Sequence, residues 1–263
     1  MRSPGVIVSL LIGSLLPSAA VATDRITYPY AGVTHVHRTV PGLEVHIVTI
    51  DLAANVDVLA TRPHDRWATV STWAQENRAQ IAINANFYAG SVCGLAMGDG
   101  HVWHDSYTEQ CDATLALGPT RAGWRGVVFD SEGWSRVSPI AWATEIVSGM
   151  PILLRDGYMF FDEHEPNGMY RTHPRSALGL TGDGATLVVL EMEGRRAGIP
   201  GGTSIEMIPL LEEFGVSDAI NLDGGGSSAL WIEAEGGIVN RPSDGHERSV
   251  MNHFGIRLAA VPY

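Results

Sequence analysis

The segment from residue 219 to residue 227 joins an apolar run to a glycine-rich turn, Asp-Gly-Gly-Gly-Ser. Three consecutive glycines allow positive φ and a concave row of N–H groups, which suits an anion. The apolar run predicts a buried strand, so Asp223 would stand at its end as a candidate catalytic carboxylate. The alternative is a tight structural turn in which Asp223 only accepts backbone hydrogen bonds.

A second candidate lies in the segment 171–176, which reads Arg-Thr-His-Pro-Arg-Ser. Pro174 favours an extended conformation at His173, and the strand predicted after it would hold Arg175 rigidly. A rigid guanidinium suits bidentate recognition of phosphate. The alternatives are a surface ion pair for Arg175 and a packed or solvent-facing imidazole for His173.

Two further polar groups lie next to predicted elements. Glu206 falls in the first turns of a helix predicted over 203–214, where it would either face a cavity or complement the helix dipole. Asn84 and Asn86 follow the predicted strand 81–83, where they would bind sugar hydroxyls or cap a turn.

Metal and nucleotide motifs are weak in this chain. His35 and His37 would share one face of a strand, and His101 and His104 are close in sequence, but neither pair has a third ligand nearby. We therefore predict no metal and no cofactor. The sequence also contains no G-x-S-x-G elbow, no G-x-G-x-x-G fingerprint and no Walker motif.

The composition excludes several functions. The 263 residues carry a formal charge of −12, which argues against nonspecific binding of nucleic acid. All 17 basic residues are arginine, so catalysis through a lysine Schiff base or a P-loop lysine is impossible. An anion must be recognised by guanidinium, backbone N–H or hydroxyl groups.

The first residues are typical of a secretory signal. Arg2 precedes a short apolar run that ends in Ala20-Val21-Ala22. We predict a signal peptide over 1–22, a single domain over 23–263, and a secreted or periplasmic protein with no stable membrane span after cleavage. In an oxidising compartment Cys93 and Cys111 would form one disulfide; the alternatives are a catalytic thiol and two reduced, buried cysteines.

Strands outnumber helices in the predicted elements. Helices are expected over 67–79 and 203–214, a hairpin over 176–192, and an exposed acidic loop around Asp162–Glu165. Only one strand-helix-strand unit is evident, around the second helix. These patterns favour an α+β fold with mixed, mostly antiparallel β-sheets and a few packed helices.

Taken in order, the segments resemble the phosphodiester glycosidase family, which includes many bacterial exported proteins. The resemblance spans roughly Ile81 to Ile256. It rests on the joint order and spacing of the segments 84–88, 149–153, 174–179, 193–195, 202–206, 221–228 and 247–252.

This resemblance implies catalytic roles for Asp223, Glu206 and Arg175. The substrate-binding residues that it implies are Asn84, Thr203, Gly224, Gly225, Gly226, Ser227, Arg195 and Arg248. One position departs from the family, which usually has Asp-Gly-Arg where this chain has Glu193-Gly194-Arg195. If that position orders Arg195 or touches substrate, geometry and substrate choice would differ.

The resemblance therefore predicts an exported hydrolase that cleaves a glycosyl-phosphodiester bond in a glycan or cell-envelope polymer. Arg175 and the turn 224–227 would hold the phosphate, and Asp223 or Glu206 would be the nucleophile or base. The first alternative is a metal-dependent phosphodiesterase that acts at phosphorus. The second is a non-catalytic glycan-binding domain that stacks sugars on Trp103, Trp124 and Trp134.

Overall fold

Three antiparallel β-sheets form the body of the computed structural model, which describes residues 22–104, 111–130, 141–160 and 170–258. The signal segment up to residue 21, the acidic segment Asp162–Glu165 and Trp134 lie outside these residues. No helix within the described ranges is long and apolar enough to cross a membrane.

The largest sheet has eight strands, numbered here in chain order. From edge to edge they are β1 (Thr23–Tyr30), β2 (Val33–Val40), β3 (Leu43–Asp51), β16 (Thr186–Met192), β15 (Arg175–Thr181), β17 (Val216–Asn221), β13 (Ile152–Arg155) and β14 (Tyr158–Met159). The predicted hairpin is confirmed, since β15 pairs with β16 from Arg175–Met192 to Leu180–Leu187.

Two five-stranded sheets complete the framework. One contains β11 (Gly123–Asp130), β10 (Ala113–Thr120), β12 (Glu145–Gly149), β8 (Ala96–Gly98) and β9 (His101–His104). The other contains β19 (Gly237–Ile238), β18 (Leu230–Ile232), β5 (Ile81–Asn84), β20 (His253–Leu258) and β4 (Val56–Ala60). A small hairpin joins β6 (Tyr88–Ala89) to β7 (Ser91–Val92).

The main core lies where the three sheets face one another. Alternate residues of each strand point inward, so Ile50, Leu178, Leu115 and Ile83 come from different strands and meet in one buried cluster. The opposite face of the eight-stranded sheet is covered by helix α2 (Ser204–Glu213), whose Met207, Ile208 and Leu211 pack against that face. The central strands of the eight-stranded sheet are therefore buried on both faces, whereas β1 and β14 at its edges are largely exposed.

Both predicted helices exist and are shorter than predicted. Helix α1 spans Val70–Asn77 because the Thr69 side chain caps its first turn and Arg78 adopts a left-handed conformation at its end. Helix α2 joins β16 to β17, as the predicted strand-helix-strand unit requires.

The predicted antiparallel sheets are confirmed, because every strand pair in the described ranges is antiparallel. The α+β assignment is wrong in balance, since two short helices accompany twenty strands there and the fold is predominantly β. Strands β1 and β2 have eight residues each and strands β8 and β9 have three and four, and none of these four strands has a strong apolar run of its own.

The predicted disulfide between Cys93 and Cys111 is present, with a Cα–Cα distance of 5.7 Å. It ties the segment after β7 to the start of β10 across a sequence separation of 18 residues. The main core and this covalent link therefore both hold β10 in place.

We expect replacement of Cys93 and Cys111 by serine to lower the free energy of unfolding by about 3 kcal/mol, because the unfolded chain regains the freedom of an open loop. Guanidinium denaturation would measure the change. Cys111 is buried, so the same experiment on the unmodified protein with and without a reductant separates the cross-link from packing. Coinciding unfolding curves for the reduced and oxidised protein would contradict the prediction.

Candidate active site

Three strands from two sheets end or begin at one place, and the buried amide of Asn84 joins them. Asn84 is the last residue of β5, and its Nδ2 donates to the backbone oxygen of Asp223 at 2.6 Å. Its Oδ1 accepts from the Ser176 hydroxyl at 2.8 Å and from the Ala229 amide at 3.3 Å. Asn84 is 0% exposed. It therefore positions the turn through partners within the protein, and the substrate-binding role of Asn84 stays a prediction.

Asn86 is likewise a structural residue. Its Nδ2 donates to the carbonyl oxygens of Cys93 and Leu95, and its Oδ1 accepts from Ser148 and Asn252. The amide thus anchors the loop that carries the disulfide, and the predicted turn-capping alternative is the closer description.

The three glycines after Asp223 are required by close approach of other groups. A Cβ on Gly224 would lie 2.5 Å from the Pro174 carbonyl oxygen, and one on Gly225 would lie 2.7–2.9 Å from the Arg195 guanidinium. A Cβ on Gly226 would overlap the Arg248 guanidinium. Of the three, only Gly225 has a positive φ, +63°. The glycines therefore make room for two arginines.

The predicted row of free amides is not formed at the first two glycines. The Gly224 amide donates to Asp223 Oδ1 at 2.8 Å, and the Gly225 amide donates to the Pro174 carbonyl at 2.9 Å. Both donors are used because the turn must satisfy its own buried backbone. Any phosphate-binding role of Gly224 and Gly225 comes through the space that they leave for guanidinium groups.

The Asp223 carboxyl group lies within this turn. Burial raises its pKa from 3.8 to about 6, and this effect outweighs the Ser227 hydroxyl, the Gly224 amide and the positive charges of Arg248 and Arg195, which all favour the carboxylate. Asp223 is therefore a desolvated carboxylate that is ionised at neutral pH, with cationic groups beside it.

Three arginines surround the turn. Arg195 forms no ion pair among the described residues, and its Nη2 lies 3.5 Å from His173 Nδ1. Arg175 is buried, and its Nε donates to the Gly202 carbonyl at 3.2 Å. Burial and the charge of Arg195 lower the pKa of Arg175 to about 10. Two like charges are thus held close together, as a site for a dianion or diester requires.

Arg248 is held differently. Its Nη2 donates to Asp244 Oδ2 at 2.6 Å, and this pair covers Gly226. Asp244 was not predicted from the sequence, because nothing in the local pattern indicates that residue 244 would return to the glycine turn. The structure thus places a second carboxylate near the site, already neutralised by an arginine.

His173 stands among the arginines in an extended segment, as predicted from Pro174, and bridges to Gly202. Burial first, and then the charges of Arg195, Arg175 and Arg171, lower the pKa of His173. The imidazole is therefore neutral at neutral pH and can accept or donate one hydrogen bond.

The predicted catalytic residue Glu206 caps helix α2. Its Oε2 accepts from the Thr203 backbone amide at 2.7 Å, while Thr203 Oγ1 accepts from the Glu206 amide at 3.2 Å. This reciprocal pair is a capping box, and the Glu206 side chain is exposed. The geometry supports the structural alternative for Glu206 and assigns Thr203 to the cap rather than to the substrate surface.

Glu193, which stands where the family that the sequence resembles usually has aspartate, is buried. Its Oε1 accepts from the Arg241 amide at 3.1 Å, and its Oε2 contacts Arg196. Arg195, two residues on, has φ +57° and is held by a hydrogen bond from its amide to the Pro200 carbonyl. Glu193 therefore anchors the segment that presents Arg195, and it does so from within the protein.

Two clefts of about 310 and 390 Å³ lie elsewhere on the molecule. The first is lined by residues that include Glu145, whose pKa burial raises to about 8, and the second by residues that include Asp183. The first cleft also contains Arg62 and Arg257, but these form ion pairs with Asp65 and Asp57. The chemistry of the side chains therefore points to the Asp223 turn.

The sheets present a glycine turn, a desolvated aspartate and several arginines at one place, which is an arrangement suited to an enzyme that acts on an anionic substrate. A family model described as phosphodiester glycosidase matches residues 77–257. The chain belongs to the phosphodiester glycosidase family.

An uncharacterised prophage-derived protein, YomE of Bacillus subtilis (strain 168), is 32% identical over 204 residues. The match covers 72% of this chain and 29% of that protein, so the chain spans less than a third of the relative's length.

Three solved structures share the fold. The zebrafish N-acetylglucosamine-1-phosphodiester alpha-N-acetylglucosaminidase catalytic domain, auto-inhibited by its pro-peptide, superposes with a TM-score of 0.68 at 20% identity, over 93% of this chain and 85% of that one. A hypothetical protein from Synechocystis gives 0.63 at 16% identity, over 89% and 63%. A putative exported protein from Burkholderia pseudomallei gives 0.64 at 14% identity, over 85% and 77%.

We expect Gly225→Ala to weaken phosphate binding by displacing Arg195. The matched control is Gly184→Ala, because Gly184 has a similar φ of +67° and no heavy atom near its added Cβ. Both variants should lose about 1 kcal/mol of stability from the left-handed backbone, but only Gly225→Ala should lose affinity for a phosphodiester, measured by calorimetry. Equal affinities in the two variants would contradict the role of Gly225.

We expect the free energy of unfolding of Asp223→Asn, relative to that of the wild type, to be higher at pH 8 than at pH 4. The folded-state pKa of Asp223, about 6, exceeds its ordinary value of 3.8, so wild-type stability falls as pH rises through this interval. The variant lacks this loss, and its stability relative to wild type should increase by on the order of 2 kcal/mol between pH 4 and pH 8. Denaturation at both pH values measures it; a difference that does not change with pH would contradict the burial of a strained charge.

Proposed function

We propose that this chain hydrolyses the bond between the anomeric carbon of a sugar and a phosphodiester, in a glycan or cell-envelope polymer. The observation that carries the proposal is the buried carboxylate of Asp223 beside Arg195 and Arg248, in a chain of the phosphodiester glycosidase family. The zebrafish protein with the same fold is described as acting on an N-acetylglucosamine-1-phosphodiester.

The phosphate is recognised by guanidinium groups. Arg195 has no carboxylate partner among the described residues. Its positive charge lies close enough to Arg175 to lower the pKa of that guanidinium. A monoanionic diester would lie between these two cations, with Arg248 on the other side of the turn. Such fixed charges stabilise the negative charge that grows on the leaving phosphate by several kcal/mol, because they need no reorientation.

The leaving group determines what the protein must supply. When the bond from the anomeric carbon to the phosphate oxygen breaks, its electron pair stays on a phosphate monoester, which is a weak base. Strong acid assistance is therefore unnecessary, and one carboxylate suffices where ordinary glycosides need two. The water oxygen becomes the new oxygen on the anomeric carbon.

Asp223 is the carboxylate that we assign to this step. It either takes a proton from the attacking water, with inversion at the anomeric carbon, or bonds that carbon first and is released by water, with retention. Glu206 does not serve, because its carboxylate closes the capping box of α2. Asn84 and Ser176 act indirectly by fixing the backbone that carries Asp223.

The location that we propose is outside the cytoplasm. The N-terminal residues have the composition of a signal peptide, and Cys93 and Cys111 are joined in a disulfide. A protein of the same fold is itself described as a putative exported protein.

The proposal is tested with N-acetylglucosamine-1-phospho-6-mannose in H₂¹⁸O, with the mature chain from Thr23, in the presence and absence of EDTA. We expect N-acetylglucosamine that carries ¹⁸O, together with unlabelled mannose 6-phosphate, and no effect of EDTA. Label in the phosphate would move the reaction to phosphorus and overturn the proposal. Binding of glycans without turnover of any phosphodiester in a panel would support a binding domain instead.

Two isosteric substitutions distinguish the role of Asp223 from that of Glu206. Asp223→Asn should lower kcat by at least about 1000-fold because the base or nucleophile is lost. Glu206→Gln should leave kcat within about threefold, since glutamine also completes a capping box. The wild-type kcat/KM should fall as pH drops below about 6, where Asp223 becomes protonated. Normal turnover by Asp223→Asn would refute its assignment.

A further inference from the structure

A second group of ionisable side chains lies on the eight-stranded sheet, apart from the proposed chemistry. We call it the histidine–glutamate cluster, and it consists of His35, His37, Glu44, His46 and Glu193. One ligand atom from each of His37, Glu44 and His46 lies within 4.8 Å of the other two. His46 and Glu193 are each 1% exposed, so the cluster is largely closed to solvent.

Strand register explains why these residues meet. His37 of β2 is directly opposite His46 of β3, and the two rings stack with centroids 4.2 Å apart. Residues two apart on a strand share a face, which adds His35 beside His37 and Glu44 beside His46. Glu193 follows β16, which pairs with β3, and its amide donates to the Glu44 carbonyl at 2.9 Å.

The contacts that run from Glu235 through His35 and His46 to Glu193 contain one hydrogen-bond donor too few. Glu235 Oε1 is 2.9 Å from His35 Nδ1, and His35 Nε2 is 3.0 Å from His46 Nδ1. With neutral rings, His35 donates to Glu235 and His46 donates to His35. His46 Nε2 is then a lone pair that faces Glu193 Oε1, and this gap of 3.4 Å is the longest of the three.

Each of the two carboxylates has one oxygen beside Arg196, and Glu193 Oε1 also accepts from the Arg241 amide at 3.1 Å. Arg196 contacts Oε2 of Glu44 and Oε2 of Glu193. The other oxygen of each carboxylate faces an imidazole: Glu44 Oε1 lies 2.8 Å from His37 Nε2, and Glu193 Oε1 faces His46 Nε2. The ligand atoms of His37, Glu44 and His46 therefore lie within 4.8 Å of one another, and Glu193 Oε1 borders this group at 3.4 Å from His46 Nε2.

Charge favours a cation in that region. Glu44, Glu193 and the neighbouring Glu191 bring three carboxyl groups around Arg196, and Glu191 Oε2 is buried without a hydrogen-bond partner. Buried carboxylates are stable only when they are paired, protonated or bound to a metal. Imidazole and carboxylate ligands in a set of four suit a tetrahedral zinc-type ion.

We propose that His37, Glu44, His46 and Glu193 bind one divalent transition-metal ion of the zinc type. Its ligand atoms are His37 Nε2, Glu44 Oε1, His46 Nε2 and Glu193 Oε1. Zinc ligand distances of about 2.0–2.1 Å place neighbouring ligand atoms roughly 3.3 Å apart. An ion would therefore replace the hydrogen bond between His37 Nε2 and Glu44 Oε1 and would require the stacked His37 and His46 rings to turn toward it. His35 and Glu235 orient His46 as its outer partners, a common arrangement around metal-bound histidine.

The ion would be structural rather than catalytic. It would cross-link β2 and β3 to the segment after β16, which carries Arg195 two residues beyond Glu193. His37, Glu44 and His46 precede residue 77, where the family match begins. The site thus goes beyond the proposed hydrolysis and stands or falls separately from it.

The test uses the mature chain, purified without a metal-affinity tag, freed of metal with EDTA and dialysed. Titration with ZnCl₂ in a calorimeter should show one equivalent bound, with a rise in the unfolding temperature. Co²⁺ in place of Zn²⁺ should give the intense visible absorption of a tetrahedral site. His37→Ala and the isosteric Glu44→Gln should each weaken Zn²⁺ binding by at least about 100-fold.

His64→Ala is the control, because His64 is exposed and lies outside the cluster, and it should bind Zn²⁺ like wild type. Both cluster residues are partly exposed, and circular dichroism verifies that the variants are folded; if His37→Ala unfolds, Glu44→Gln alone decides. Absence of stoichiometric Zn²⁺ binding would overturn the proposal. A proton would then lie between His46 Nε2 and Glu193 Oε1. Equal affinity in the folded variants, or a weak octahedral Co²⁺ spectrum, would also overturn it.

Discussion

The buried amide of Asn84 is the interaction on which the candidate site depends. It lies at the end of β5 in one sheet and contacts Ser176 of β15 in another, and it also holds the backbone of Asp223. A side-chain amide has an oxygen that can accept two hydrogen bonds and two N–H donors, so it can connect strands that share no ladder hydrogen bonds. Asn84 thus ties the end of β5 to the eight-stranded sheet, whose neighbouring strands β15 and β17 carry Arg175 and the glycine turn.

The second constraint is electrostatic. The chain carries a net charge of −12, yet the glycine turn gathers Arg175, Arg195 and Arg248 around a single buried carboxylate. Such an arrangement is unfavourable for folding, since like charges repel and Asp223 is desolvated. The buried central strands of the eight-stranded sheet oppose this unfavourable contribution.

The sequence allows part of this site to be predicted and hides the rest. The glycine turn, the strand before it and the extended Pro174 segment follow from local chemistry, and the capping box is visible as Thr203-x-x-Glu206. The contact between Gly225 and Arg195 depends on how a distant loop returns to the turn, which no local pattern encodes. His35 and His37 are recognisable as a pair, but only the register between β2 and β3 brings His46 to them.

The position of β20 in its sheet has a consequence for the way the protein is made. β20 is the last strand of the described residues, and it pairs with both β4 and β5, which are translated almost two hundred residues earlier. Until β20 has been synthesised, both early strands keep an unpaired edge, and Asn84 has no completed sheet to support it. Folding of such distant pairings is slow. The sheet that holds Asn84 is therefore completed only after β20 has been synthesised.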